Sequence, residues 1–170
     1  YEDQDGALWI ATDAGLDRFE RQSGSFTHFQ KNAADPHSLS HNSVRAIYEE
    51  PSGVLWVGTD GGGLNRFDRE AETFTHYQNV PSDPHSLSHN FINDIYQDRE
   101  GVLWIGVKGG GINKLFLGSL NFATFRHNPE DPNSLNNDDI HGIFEDRSGL
   151  LWIGTNGGLN RFDQSTGQWR

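Results

Sequence analysis

The stretch Leu55-Trp56-Val57-Gly58-Thr59-Asp60-Gly61-Gly62-Gly63-Leu64-Asn65-Arg66-Phe67-Asp68 (LWVGTDGGGLNRFD) decides the fold, because the chain repeats it. It returns as LWIATDAGLDRF from Leu8, as LWIGVKGGGINKLF from Leu103 and as LWIGTNGGLNRFD from Leu151, which spaces Trp9, Trp56, Trp104 and Trp152 by 47, 48 and 48 residues. The rest of the unit keeps step. Phe26, Phe74 and Phe122 are 48 apart, as are the pairs Asp35-Pro36, Asp83-Pro84 and Asp131-Pro132. A repeat of this length cannot bury an apolar face alone and does so by stacking on its neighbours.

The second unit is complete and shows the strand logic. Val44–Glu49 (VRAIYE) is a β-branched and aromatic run closed by a turn at Glu50-Pro51-Ser52-Gly53, which makes it strand a. Strand b is expected over Val54–Thr59, strand c over Leu64–Asp68 and strand d over Thr73–Gln78, and a Pro-, Ser-, His- and Asn-rich loop without periodicity then leads to the next unit. Four short antiparallel strands every 48 residues fit the blades of a β-propeller better than a solenoid, whose coils are shorter. The reading is an all-β fragment of a larger propeller: a partial blade over 1–41, blades over 42–89 and 90–137, and a partial blade over 138–170. Four full units would need 192 residues, 22 more than the 170 present, and the shortfall is most of one strand d, a linker and most of one strand a. Open edges of this kind invite self-association, or pairing with the remaining repeats of a parent chain.

The recurring tryptophans are expected in the core, because a periodic aromatic marks packing rather than an exposed platform for sugars. Ile47, Ile95, Ile143, Phe67 and Phe162 are expected beside Trp56, Trp104 and Trp152. Each Trp follows an acidic-x-x-Gly-x-Leu turn, from Asp3, Glu50, Asp98 and Asp146, in which the carboxylate serves backbone N–H groups and Gly supplies a positive φ. A calcium loop fits poorly, since only Asp3-Gln4-Asp5 carries a second carboxylate.

Composition narrows the function. There are 13 Lys and Arg against 24 Asp and Glu, a net charge of -11, and no basic stripe to follow phosphates, which argues against nucleic acid. There is no cysteine, and hence no disulfide or thiolate metal site. No apolar run or leader of membrane-spanning or secretory type is present, and the absence of methionine reads as a piece excised from a longer polypeptide.

At this point the strings LWVGTDGGGLNRFD (Leu55–Asp68), LWIGTNGGLNRFD (Leu151–Asp163) and DPHSLSHN (Asp83–Asn90) resemble the propeller repeats of two-component regulators. The resemblance covers essentially the whole chain, with the Trp turn, the Gly-rich loop and the Asp-Pro-x-Ser-Leu linker in one order. It departs where Ala14 replaces a loop glycine in the first copy, and where Val107-Lys108 stands for Thr-Asp or Thr-Asn in the third. It implies a sensor propeller in the extracytoplasmic, periplasmic part of a membrane-anchored bacterial receptor, in a family whose sensors precede a second β-domain, a membrane helix and a histidine kinase or nucleotide cyclase. It also implies a small-molecule or oligosaccharide ligand.

Strand order places the b–c loops and the d–a linkers on one face and the a–b and c–d turns on the other. Function on a rigid β scaffold concentrates on variable loops, so the candidate ligand-binding residues are the loop tips Asp13, Asp60, Lys108 and Asn156 and the linker histidines His37, His41, His85 and His89. The histidine pairs at i and i+4 lie in loop and not on a helix, so they are read as polar contacts and not as a zinc site; His28 and His76 recur in strand d as repeat residues. No metal, cofactor or catalytic constellation is expected: there is no Gly-x-Ser-x-Gly elbow, and the Gly-rich loops lack the Lys-Ser/Thr of a phosphate loop. Two alternatives stand beside the sensor. One is a propeller lyase or hydrolase, for which His141 on a channel-lining strand is the single candidate, and the other is a scaffold that binds another protein.

Overall fold

Short β-branched and aromatic runs separated by Gly-, Pro- and Asp-rich turns produce strands and nothing else. The computed structural model describes residues 1–170 and contains no helix. Sheet one is β1 (Leu8–Thr12), β2 (Gly15–Glu20) and β3 (Ser25–Phe29); sheet two is β4 (Val44–Glu49), β5 (Leu55–Thr59), β6 (Leu64–Asp68) and β7 (Thr73–Tyr77). Sheet three is β8 (Ile92–Gln97), β9 (Leu103–Val107), β10 (Gly111–Phe116) and β11 (Asn121–Phe125), and sheet four is β12 (Ile140–Glu145), β13 (Leu150–Thr155), β14 (Gly158–Asp163) and β15 (Gln168–Trp169). Each sheet is an antiparallel meander in chain order, so the chain forms successive propeller blades. In sheet one the stub of strand a is Tyr1 to Asp3, held by paired backbone bonds between Tyr1 and Trp9 and a bridge from Glu2 to Leu8.

Strand b starts one residue later than the sequence suggests, because the Val54 carbonyl accepts the Glu50 N–H at 2.9 Å and closes the a–b turn. Strand d of sheet two stops at Tyr77, and the Gln78 side chain reaches across to donate to the Gly62 carbonyl.

The core is three apolar clusters, one between each pair of consecutive sheets. Trp9 packs against Phe29 of its own sheet and Phe67 of the next; Trp104 packs against Phe125 and then Phe162 in the same way. The close approach of neighbouring sheets explains the glycine after Trp-x in sheets two and three: a Cβ on Gly58 would sit 2.5 Å from Ile92 Cγ2, and one on Gly106 2.8 Å from Ile140 Cγ2. Trp56, Trp104, Ile95, Ile143, Phe67 and Phe162 are buried as expected, with Ile47 half-buried against its cluster. Trp152 is a correction. It is only half-buried, because no sheet packs on the outer side of sheet four.

The two end sheets expose complementary halves of the same interface. Phe26 is 53% exposed where its counterpart Phe74 is 2%, and Leu159 is 62% exposed where Leu64 is 0%.

The acidic-x-x-Gly turns do more than the sequence suggests. Asp3, Asp98 and Asp146 each accept turn N–H groups through Oδ1 and the indole N–H of the following Trp through Oδ2 at 2.7 Å, and Glu50 accepts that of Trp56. Glycines at φ 84 to 86° complete the turns. The Ser148 hydroxyl, and then the Trp152 indole, hold the Asp146 carboxyl well below the ordinary carboxylate range. Burial pushes Asp3 the other way but is outweighed by bonds from Trp9 and from Arg69, which also pairs with Glu49 and so ties sheet two to sheet one.

The d–a linker is the largest departure from expectation, since it is a built loop repeated three times. Asp35, Asp83 and Asp131 each accept the N–H two residues on at 2.9 Å. Ser38, Ser86 and Ser134 bond the carbonyls on both sides of the turn. Leu39, Leu87 and Leu135 plug the clusters between sheets. Buried Asn65, Asn113 and Asn160 of strand c accept the N–H of the residue after each leucine, at 2.9 to 3.0 Å, and lock the linker down.

Candidate functional site

Linkers and b–c loops do share one face. Asn90 takes the N–H groups of Gly61 and Gly63, and Asp138 that of Gly111, while Arg69 of a c–d turn bonds the Gly53 carbonyl of an a–b turn on the opposite face. Strand a is the innermost strand of each sheet, and its first residues open onto the loop face. Strand a of sheets two, three and four carries a bulge at that end, between Val44 and Ala46, Ile92 and Asp94, and Ile140 and Gly142. A bulge re-aims the residue it contains. That residue is Arg45, Asn93 and His141 in turn, polar amid a framework of Val and Ile.

Three of the four loop tips meet two of these bulge residues, Arg45 and His141, while Asn93 donates its amide to the Ile140 carbonyl. Arg45 Nη2 lies 3.1 Å from Asp60 of its own sheet and 3.4 Å from Asp13 of the preceding one, and Asp13 also accepts the Ser43 hydroxyl at 2.9 Å. Two loop tips 47 residues apart in sequence thus meet on one guanidinium. These ion pairs lie at the surface, so they contribute little to stability.

In sheet four Asn156 donates Nδ2–H to Asp139 Oδ2 at 2.8 Å, which leaves its Oδ1 to accept from His141 Nε2 at 2.7 Å. Because that oxygen only accepts, Nε2 carries the proton, and His141 Nδ1 remains as an acceptor. Lys108 is held by its backbone N–H to the Phe91 carbonyl at 2.9 Å, and its ammonium forms no ion pair.

The linker histidines separate into two places. His41 and His89 lie against the b–c loops, where a Cβ on Gly62 would come 2.7 Å from His41 Cβ and one on Gly110 3.1 Å from His89 Cβ. His37 and His85 instead lie at the outer circumference: their carbonyls extend the outermost strands by accepting the Phe74 and Phe122 N–H groups at 2.7 and 2.9 Å. The structure therefore sets Asp13 and Asp60 on Arg45, Asn156 on His141, and His41 and His89 against the b–c loops, with Lys108 at a loop tip of its own, and places His37 and His85 apart from all of these. His76 is a linker clamp, with Nε2 on the Ser38 carbonyl at 2.7 Å, and His28 pairs with Asp17.

Sequence reasoning missed Arg45 and Asp139 as parts of the mouth. The available signal was strand a itself, whose second residue changes from Arg to Asn to His while its first stays Val or Ile. Asp94, the next residue along strand β8, is a further channel group: it accepts the Ile143 N–H of the neighbouring inner strand at 2.7 Å. Burial pushes its carboxyl above the ordinary value, against the lowering effect of the Ile143 and Ile95 N–H groups. No group of three or more His, Asp or Glu side chains is placed to hold a metal ion.

Comparison with known proteins accords with the fold. The two-component regulator propeller family matches residues 38–61, 86–109 and 134–157, each running from the linker serine into the b–c loop. Among solved structures, the extracellular domain of the protein assigned as hybrid two component system BT3049 from B. thetaiotaomicron superposes with a TM-score of 0.80 at 31% identity, over 96% of this chain and 21% of that one. The extracellular domain of BT4673 from the same organism, also assigned as a hybrid two component system, gives 0.75 at 27% identity, over 100% and 23%. Virginiamycin B lyase from Staphylococcus aureus shares the fold, with a TM-score of 0.68 at 17% identity over 100% of this chain and 53% of the lyase. No curated protein matches. The chain spans about a fifth of the length of the two extracellular domains. With the linker, the Trp turn and the Gly-rich loop matched in three successive units, the chain carries repeats of the two-component regulator propeller type.

Proposed function

We propose that this chain is part of the sensor propeller of an extracytoplasmic receptor of two-component or related type, and that it binds a carbohydrate fragment at the inner mouth of the loop face. Its location follows that of its solved relatives, which are extracellular domains. The observation that carries the reading is the chemistry of the mouth. A guanidinium, carboxylates, a carboxamide and an imidazole, all planar and with paired donors or acceptors, gather on Arg45 and His141. Such groups match the adjacent hydroxyls of a sugar ring, where each can take or give two hydrogen bonds in its own plane. Sites of this kind are grafted onto the scaffold and not dictated by it, so the argument rests on the side chains and not on the propeller.

The test is an oligosaccharide array followed by calorimetry, using the complete extracytoplasmic region that contains these repeats. Arg45→Ala, Asp60→Ala and Lys108→Ala are expected to weaken binding, while Glu100→Ala in the a–b turn of the opposite face leaves it unchanged. Loss of affinity in Glu100→Ala alone would place the site on the wrong face. Turnover of the bound sugar would favour a propeller enzyme, and silence across the array a protein-binding scaffold.

A further inference from the structure

One of the three linkers departs from the others where it enters strand a. In the linker to sheet two, the Ser43 N–H donates to His41 Nδ1 at 3.2 Å; in the linker to sheet four, the Asp139 N–H donates to Asn137 Oδ1 at 2.8 Å. The side chain two residues back is thus consumed by a local turn. The linker to sheet three has Phe91 at the corresponding position. There His89 makes no side-chain hydrogen bond, and its ring stacks on Phe91 with centroids 4.9 Å apart and planes 21° from parallel. His89 is exposed and Phe91 half-buried, so the pair presents an aromatic face to solvent with both imidazole nitrogens unengaged.

The backbone fixes where that face sits. Phe91 bridges to Asp60 of sheet two, its carbonyl accepts the Lys108 N–H of sheet three, and its ring edge lies against Gly61, where a Cβ would come 3.7 Å from Cε1. The ring pair is therefore set between two loop tips, one carrying a carboxylate and the other an unpaired ammonium. An aromatic face left in water and bordered by hydrogen-bonding groups suits a ligand with one apolar face and polar edges. A pyranose ring is such a ligand: its axial C–H bonds present one apolar face and its hydroxyls project at the rim.

We propose that the His89–Phe91 pair is the stacking platform of the carbohydrate site, with a pyranose ring lying on it and its hydroxyls reaching Asp60 on one side and Lys108 on the other. The proposal rests on the carbohydrate reading given above and adds the residues that select a pyranose over an open-chain polyol. Sheets two and four lack the platform because Ser43 and Asp139 occupy its position, so the loop face has one preferred seat and not three equivalent ones.

The chain itself supplies conservative variants: Phe91→Ser copies the linker to sheet two, and His89→Asn copies the linker to sheet four. Both would be made in the complete extracytoplasmic region, with Phe91→Tyr and Arg45→Ala alongside, and titrated with the array oligosaccharide that the unaltered protein binds most tightly. Phe91→Ser and His89→Asn are expected to weaken binding about tenfold at an unchanged melting temperature, the loss of roughly one aromatic stacking contact, while Phe91→Tyr retains it. Saturation-transfer NMR is expected to show the sugar's ring C–H protons contacting the unaltered protein but not Phe91→Ser. Should Phe91→Ser fold poorly, exposed His89→Asn still decides the matter. Unchanged affinity in Phe91→Ser or His89→Asn, with loss in Arg45→Ala, would overturn the platform and leave the carbohydrate reading standing. Absence of any bound glycan on the unaltered protein would overturn both.

Discussion

Replacing Trp104 by Ala removes a side chain with no exposed surface from between sheets three and four, where it touches Phe125 and Phe162. Truncating a buried Trp costs about 3–5 kcal/mol. The indole N–H is lost as well, but Asp98, itself buried, keeps the N–H groups of Glu100 and Val102 on its other oxygen, so that loss adds only about 1 kcal/mol. The sum, about 4–6 kcal/mol, is a large part of the roughly 5–15 kcal/mol that holds a domain together. At about 2–4 °C per kcal/mol for a chain of this size, the melting temperature followed by far-UV circular dichroism should fall by about 10–20 °C. Trp104→Phe keeps most of the apolar volume and leaves mainly the loss of the hydrogen bond, at about 1 kcal/mol. Lys108→Ala, four residues away on an exposed loop tip, should stay within about 0.5 kcal/mol. Equal melting temperatures for Trp104→Ala and Lys108→Ala would refute the assignment of the tryptophan to the interface between sheets, and a Trp104→Phe variant as stable as the parent would show that the bond to Asp98 contributes nothing.

Leu87→Ala should behave as a core truncation although it lies in a linker, costing about 2–5 kcal/mol in urea unfolding, and a cost of a few tenths would mean that the linker does not seal the interface. Asp94→Asn should gain on the parent as pH rises, from a lower starting point, because its single amide oxygen cannot accept both the Ile95 and the Ile143 N–H groups. The raised carboxyl of Asp94 imposes no cost where both folded and unfolded chains are protonated, and an increasing cost as pH climbs through the carboxylate range to its folded value. The parent should therefore hold its lead in melting temperature over the variant near about pH 3 and lose part of it by about pH 7, and a gap that does not change with pH would reject the argument. The 170-residue chain on its own should self-associate through its end sheets, given that Phe144 is 61% exposed at one end and Ile10 40% at the other; a monodisperse 19.1 kDa monomer in light scattering would contradict this.

The periodicity of Trp, Phe and Asp-Pro was enough to specify the blades, because a two-residue side-chain period and Gly-rich turns are local properties. Strands β4 and β6 fall where sequence alone places them, and the assignment of loops to faces follows from strand alternation. The linker was harder to read. Its Asp, Ser and Leu look like loop composition until the fold brings Leu87 into a core and Asn113 under the backbone of Ser88, 25 residues away. The family resemblance was likewise legible, since the motif order is itself sequence.

Pairing across the repeat was not legible. Nothing local says that Asp13 and Asp60 share Arg45, that Asn156 fixes the proton on His141, or that His37 points to the rim while His41, four residues on, reaches the mouth. Trp152 shows the same limit from the other side: an identical residue in an identical motif is half-exposed because burial belongs to the interface and not to the strand. Sequence determined the repeating unit, since that is encoded by contacts within about a dozen residues. Tertiary structure alone decided which loop tips meet which side chains, since bulges in sheets two and four present Arg45 and His141 to tips that folding, and not the chain's own order, brings within reach.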